Sequence, residues 1–288
     1  MVAFLLTTNF SLRAQAPDRN KLISDLRTLS ADEMMGRGTD TEGAAKARAY
    51  LISRFREMGI SPAGITFEQP FSYSYNLGKA TGINLYALIP GETEEIIVIS
   101  AHYDHLGKTL GIIYNGADDN ASGTAALLAM AAYYKKHKPK HTILLAAFDA
   151  EERHLEGAKA FFAKPPVDTK QIVANLNMDM ISRSGTKELY IAGTYFSPEL
   201  KAIVQKQDPM PGIRLRFGHD EPGKPENWTN SSDHGPFHQN GIPFLYFGVE
   251  DHPDYHKSSD TFDKIDQDFY FAAVSAILRI SIAVDQEL

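Results

Sequence analysis

The chain contains no cysteine among its 288 residues. Disulfides and thiolate ligands are thereby excluded, and any transition metal it binds must be held by imidazole and carboxylate. Positive charge is also short, because 29 Lys and Arg against 36 Asp and Glu leave a formal charge of -7. A nucleic-acid partner requires a basic face, so that class is set aside. The one basic cluster, Lys135-Lys136-His137-Lys138-Pro139-Lys140, falls where a helix would end, and cations there complement the helix dipole. No uninterrupted apolar run approaches the roughly 18 residues of a membrane span. Internal repeats and low-complexity tracts are missing as well.

What the chain does have is 43% apolar residues, enough for a substantial core. Residues 1–16 differ from the rest: Val2 to Leu6 is a short apolar core, and Ala14-Gln15-Ala16 before Pro17 fits a small-residue cleavage site. The expectation is an export signal without its basic leading region, followed by a single domain over 17–288 that leaves the cytoplasm and does not span a membrane. Thr41 to Met58 carries Ala45, Ala49, Ile52 and Phe55 at helical spacing and ends at Gly59. Thr66 to Phe71 and Ile83 to Ile89 read as paired strands, and Glu95 to Ser100 as a strand covered on both faces. Helix (Ser122 to Lys136), strand (His141 to Phe148), helix (His154 to Ala163), strand (Ile172 to Met178) and helix (Pro198 to Gln207) then alternate. Ile213 to Phe217 and Pro243 to Phe247 add two strands, a polar loop covers 218 to 232, and Asp268 to Val284 is a terminal helix. The alternation predicts an α/β fold, a three-layer α/β/α sandwich around a mixed, mostly parallel twisted sheet.

Five clusters of His, Asp and Glu carry the chemistry. Most follow an apolar run or a glycine turn, where a strand hands its chain to a loop. In Ile99-Ser100-Ala101-His102 the imidazole emerges at the carboxyl edge of the sheet, where open α/β sheets place their ligand crevices. Asp104 lies two residues on, able to accept the imidazole N–H and fix its tautomer. Asp118-Asp119 opens a helix; one aspartate would satisfy a cap, and a second adjacent carboxylate is available to bridge two cations. Glu151-Glu152 follows a buried strand, so that one glutamate can bind metal while the other, crowded and desolvated, gains proton affinity. Asp179 interrupts an apolar stretch, where an unpaired carboxylate is costly unless a metal or Arg183 partners it. His256 sits in a loop beside Tyr255, whose hydroxyl can donate to a developing oxyanion.

These motifs, in this order, resemble those of the zinc-dependent exopeptidases of the leucyl aminopeptidase and glutaminyl cyclase superfamily, over about Asp32 to Asp266. The resemblance implies a peptidase catalytic domain with two Zn2+, replaceable by Co2+ or Mn2+. It implies that His102 and Asp179 share one metal, that Glu152 and His256 share the other, and that Asp119 rather than Asp118 bridges them. Asp104 then supports His102, Glu151 is the general base, and the peptide bond Asp119–Asn120 is cis. Asp233-His234-Gly235-Pro236-Phe237 also looks familial, without a role for His234. The chain departs from the pattern at His154, which stands where relatives carry glycine. The implied reaction is removal of the N-terminal residue from a peptide with a free amine. Two rivals stay open: a cyclase-type acyltransferase with one zinc, and an inactive binding module on the same scaffold.

Overall fold

A computed structural model describes residues 16–75 and 78–288. The expected export signal falls almost wholly on residues 1–15, outside the described residues. Helices α1 (Arg19–Leu29) and α2 (Glu42–Glu57) precede strands β1 (Ser61–Pro62), β2 (Glu68–Tyr75), β3 (Gly78–Ile89) and β4 (Ile96–His102). A small hairpin of β5 (Gly107–Thr109) and β6 (Ile112–Tyr114) follows, then α3 (Gly123–Lys136), β7 (Thr142–Phe148), α4 (Glu156–Ala163) and β8 (Ile172–Met178). The chain closes with β9 (Glu188–Ala192), α5 (Pro198–Gln205), β10 (Arg214–Phe217), α6 (His234–Gln239), β11 (Phe244–Gly248) and α7 (Gln267–Glu287).

The main sheet runs β1-β3-β7-β4-β8-β11-β9-β10, with β2 paired to β3. Its centre, β7-β4-β8-β11, is parallel. Antiparallel pairings of β3 with β7 and of β9 with β11 flank that centre. The mixed sheet of the expectation is therefore found, with parallel pairing confined to the centre and the outer pair β9 and β10.

Both faces of the sheet are covered, because alternate residues of each central strand enter different cores. Ile97 and Ile99 of β4 join Ile143, Leu145, Leu176 and Phe247 beneath α1, α3 and α7. Ile96 and Val98 instead meet Leu144, Phe148, Phe161 and Phe237 on the side of α4 and α6. α7 is apolar and long enough for a membrane span by composition, yet 67% of its 18-residue apolar stretch is buried inside the protein, as in a core helix.

The capping residues account for several boundaries. Thr41 accepts from the Ala44 N–H, Ser197 precedes Pro198 at the first turn of α5, and Asp266 accepts from the Phe269 N–H. Five elements escaped the sequence reading: α1, β1, the β5–β6 hairpin, β9 and α6. All but α1 are very short, so their period is weak.

Candidate metal centre

Every candidate ligand but two lies where a central strand runs out. His102 ends β4, Glu151 and Glu152 follow β7 across Asp149-Ala150, and Asp179 follows β8 directly. Asp119 lies in the wide turn Ala117–Ser122 that opens α3, and His256 in the loop after β11. Parallel strands bring these ends to one edge, which is why residues 154 positions apart in sequence, from His102 to His256, meet. Ala150, Met180 and His256 hold left-handed backbone with φ of 57°, 57° and 55°. Such conformations cost about 1–2 kcal/mol for a residue with a Cβ and gather where a site dictates the chain path. The Asp119–Asn120 peptide is cis, as the resemblance implied.

The Asp119 carboxylate divides the cluster in two. Its Oδ1 faces His102 Nε2 at 3.5 Å, and that nitrogen lies 3.2 Å from Asp179 Oδ1. Its Oδ2 faces His256 Nε2 at 3.2 Å, which in turn lies 3.2 Å from Glu152 Oε2. Two ligands bound to one tetrahedral zinc at roughly 2.0–2.1 Å stand about 3.3 Å apart. The observed spacings of 3.2 to 3.5 Å match that value on both sides. Glu151 lies with His102 and Asp179, their ligand atoms within 4.8 Å of one another. The donor set is nitrogen and carboxylate oxygen without sulfur, which suits zinc and its first-row neighbours.

Charge in the cluster is mutually compensating. Burial opposes protonation of His102, but the carboxylates of Asp179 and Glu151 outweigh it and hold its pKa well above the ordinary value. Hydrogen bonds to Asp119 and Glu152 raise His256 to about 10. Burial would raise Glu152, yet His105 and His256 hold it well below the carboxylate range. Glu151 behaves oppositely: burial, reinforced by Asp179, Asp233 and Glu152 and opposed by His102, lifts its proton affinity far above that of a free glutamate. Two adjacent glutamates are thus driven apart by environment, one toward the ionised form and one toward the protonated form.

A ring of buried groups holds the loops that carry these residues. Asp104 Oδ1 accepts the Glu151 N–H at 3.1 Å, and Oδ2 accepts the Glu152 N–H at 3.4 Å and the Thr39 hydroxyl at 3.2 Å. Asp118 accepts both the Ser182 N–H and its hydroxyl, at 2.7 and 2.6 Å, and pairs with His252 at 3.0 Å. Asp260 accepts the N–H groups of Asp118 and Asp119, each at 3.1 Å. Arg37, wholly buried, donates to the carbonyls of Leu29, Tyr103, Asn115 and Gly116 at 2.6 to 2.9 Å. Its pKa falls to about 10 through burial, against the pull of Asp119 and Asp260.

Several expectations need correction. The His102 Nδ1–H donates to the Asp104 backbone carbonyl at 3.1 Å, while the nearest Asp104 carboxylate oxygen stands off at 3.6 Å. Asp104 therefore orients the imidazole through its main chain and spends its carboxylate on the Glu151-Glu152 turn. Arg183 pairs with Asp254 at 2.8 Å rather than with Asp179. Tyr255 lines the cavity over the cluster and stacks on His256 at 3.9 Å between ring centroids. Burial and the neighbouring Asp119 keep its phenol protonated. His234 is a packing residue: its Nε2 meets the Trp228 carbonyl at 2.7 Å, and burial pushes its pKa down to about 4. His154 occupies left-handed backbone at φ 65°, a conformation that glycine takes without strain. Two buried residues were missed, Arg37 and His105, and Asp233 was noted only as part of its motif. Burial, reinforced by Asp104 and Asp179 and opposed by His102, raises the proton affinity of Asp233 well above that of a free aspartate.

Residues 84–281 match the model of Peptidase family M28. A probable leucine aminopeptidase of Arthroderma otae is 30% identical over 194 residues, 64% of this chain and 52% of that protein. The chain spans about half the length of the curated relatives it matches. Among solved structures, a zinc aminopeptidase from Bacillus subtilis superposes with a TM-score of 0.71 at 17% identity, covering 93% of this chain and 95% of that one. Porphyromonas gingivalis glutaminyl cyclase does so with a TM-score of 0.74 at 17% identity, covering 95% and 100%. At such identities the two structures share its fold.

Proposed function

The chain belongs to peptidase family M28, and from that premise we propose that it is a zinc aminopeptidase with two cooperating ions, removing the N-terminal residue from peptides. The observation that carries this reading is the Asp119 carboxylate, whose two oxygens face separate histidine–carboxylate sets at 3.2 to 3.5 Å. His102, Asp179 and Asp119 would hold one ion; Glu152, His256 and Asp119 the other. Zinc held by such ligands supplies Lewis acidity and makes water nucleophilic near neutral pH.

The chain's own groups do the rest. Glu151, buried and with raised proton affinity, takes a proton from the attacking water and returns it to the leaving amine. The Tyr255 hydroxyl donates toward the oxyanion that develops on the scissile carbonyl. Beside the cluster is a cavity of ≈ 200 Å³ walled by Met180, Trp228, Tyr246 and Val249. Met180, Trp228, Tyr246 and Val249 offer one side chain an apolar wall, and Asp119, Glu151 and Asp179 in the same lining suit a free α-amine. A small cavity of this make-up suits a single terminal residue, as an exopeptidase requires.

Replacing Glu151 with Gln tests the reading. Hydrolysis of aminoacyl-anilides should vanish with bound zinc unchanged, and a variant of normal activity would remove Glu151 from the mechanism. Wild-type protein offered an N-terminal glutaminyl substrate separates the cyclase alternative. Pyroglutamate formed by protein holding one zinc per chain would favour the cyclase.

A further inference from the structure

The second histidine of His102-Tyr103-Asp104-His105 has no part in the ligand set proposed above. It is fully buried, and its ring reaches the same end of the cluster as His256, with the two ring centroids 5.9 Å apart. Its Nδ1 lies 2.7 Å from Glu152 Oε1 and 3.5 Å from Asp119 Oδ2. The shorter distance discriminates between two roles. Two ligands on one tetrahedral zinc stand about 3.3 Å apart, whereas a charge-assisted N–H···O bond to a carboxylate is about 2.7–2.9 Å long. His105 and Glu152 are at the hydrogen-bond distance; His256 and Glu152, at 3.2 Å, are at the ligand distance.

The two Glu152 oxygens are thus used separately: Oε1 faces His105 and Oε2 faces His256. The ring is fixed in this pose. A Cβ on Gly116 would come within 2.5 Å of His105 Cδ2, so the glycine backbone lies against one edge of the ring. The His105 N–H also bonds the Arg37 carbonyl at 3.4 Å. The other nitrogen, Nε2, is buried and has no hydrogen-bond partner among the described residues. A buried polar atom without a partner costs about 1–3 kcal/mol. That cost is tolerated where the Nδ1 contact performs a task.

We propose that His105 is a positioning residue for the second zinc, donating from Nδ1 to Glu152 Oε1 so that Oε2 is presented to the ion beside His256. It rests on the two-ion reading and adds to it an asymmetry: the Glu152 carboxylate meets an imidazole besides that of its fellow ligand His256, whereas the Asp179 carboxylate, among the described residues, meets only that of His102. Outer hydrogen-bond partners of this kind typically change metal affinity by about 10–100-fold.

The test is a chelator-competition titration of zinc into metal-free wild type, His105→Leu and His105→Asn, with folding of each checked by circular dichroism. Asn carries its amide nitrogen where His carries Nδ1, so it keeps the donor and lacks the ring. The expected result is two zinc per chain in wild type, with one binding step loosened about 10–100-fold in H105L and restored to within a few-fold in H105N, the other step being unchanged. Equal affinities in all three proteins would overturn the proposal, as would H105N binding as weakly as H105L. A second readout needs no substitution: in cadmium-113-loaded protein with nitrogen-15 histidine, His256 should show nitrogen–cadmium coupling and His105 a retained Nδ1–H. Coupling at His105 would make it a ligand and refute the positioning role. Wild type that binds no zinc at all would instead defeat the underlying two-ion reading.

Discussion

Substituting Arg37 with Met should destabilise the protein by about 3 kcal/mol, and the figure follows from the surroundings of the guanidinium. Met has similar length but no donor, so the carbonyls of Leu29, Tyr103 and Asn115, now 2.6 to 2.8 Å from the guanidinium, lose that partner. Gly116 retains a donor in the Ala121 N–H at 3.1 Å. Three buried acceptors left short cost about 1–3 kcal/mol each, roughly 6 kcal/mol together. Removing the buried charge gives part of this back: a pKa lowered from 12.5 to about 10 corresponds to roughly 3 kcal/mol of burial cost that Met does not incur. For a domain of this size each kcal/mol moves Tm by about 2–4 °C, so Arg37→Met should melt roughly 6–12 °C below wild type in metal-free form. Arg37→Lys keeps the charge but loses the planar fork and should fall between the two. Calorimetry of the three proteins decides the matter. An R37M protein melting within 2 °C of wild type would show that the guanidinium does not hold the Asn115–Asp119 loop in place.

Three other outcomes are expected. His154→Gly should stabilise the fold by up to about 1 kcal/mol, because φ is 65° there and glycine takes that conformation without strain; urea denaturation should show a higher midpoint, and a lower one would contradict the backbone argument. Asp104→Asn turns an acceptor toward the N–H groups of Glu151 and Glu152 into a possible donor, so kcat should drop about 10–100-fold while bound zinc stays constant; loss of zinc without loss of kcat per zinc-loaded chain would move Asp104 from the base to the ligands. Zinc at about 1,000 times the Kd of each of the two sites should stabilise the protein by about 8 kcal/mol, so that a chelator lowers Tm by roughly 16–32 °C; an unchanged Tm would mean the cluster holds itself together without ions.

The sequence reading succeeded where a residue's chemistry conflicts with its neighbourhood. Asp179 after an apolar strand and Glu151-Glu152 after another are conspicuous because carboxylates are costly there, and strand ends are where a parallel sheet delivers side chains to a crevice. β8 was read to the residue, since an apolar run bounded by polar segments leaves little freedom. What stayed hidden depends on contacts between distant segments. Arg37 between two glycines looks like a solvated turn until the carbonyls of three other segments are seen around its guanidinium. His105 has no local signal beyond being a second histidine after an aspartate, and its meaning comes from an oxygen 47 positions away. The use of the Asp104 carboxylate on main-chain N–H groups rather than on His102 is likewise a matter of tenths of an ångström that spacing does not encode. α1 was legible but passed over: Leu22, Leu26 and Leu29 recur at helical spacing behind the capping Asp18.

The most direct measurement is metal content against activity in one preparation. Zinc added stepwise to chelator-treated protein, with aminoacyl-anilide hydrolysis followed at each step, should give binding that saturates at two ions per chain and activity that is absent in the stripped protein and returns with zinc. Full hydrolysis by protein free of metal, or saturation at one ion with both Asp119 oxygens intact, would contradict the account of a carboxylate shared between two cations.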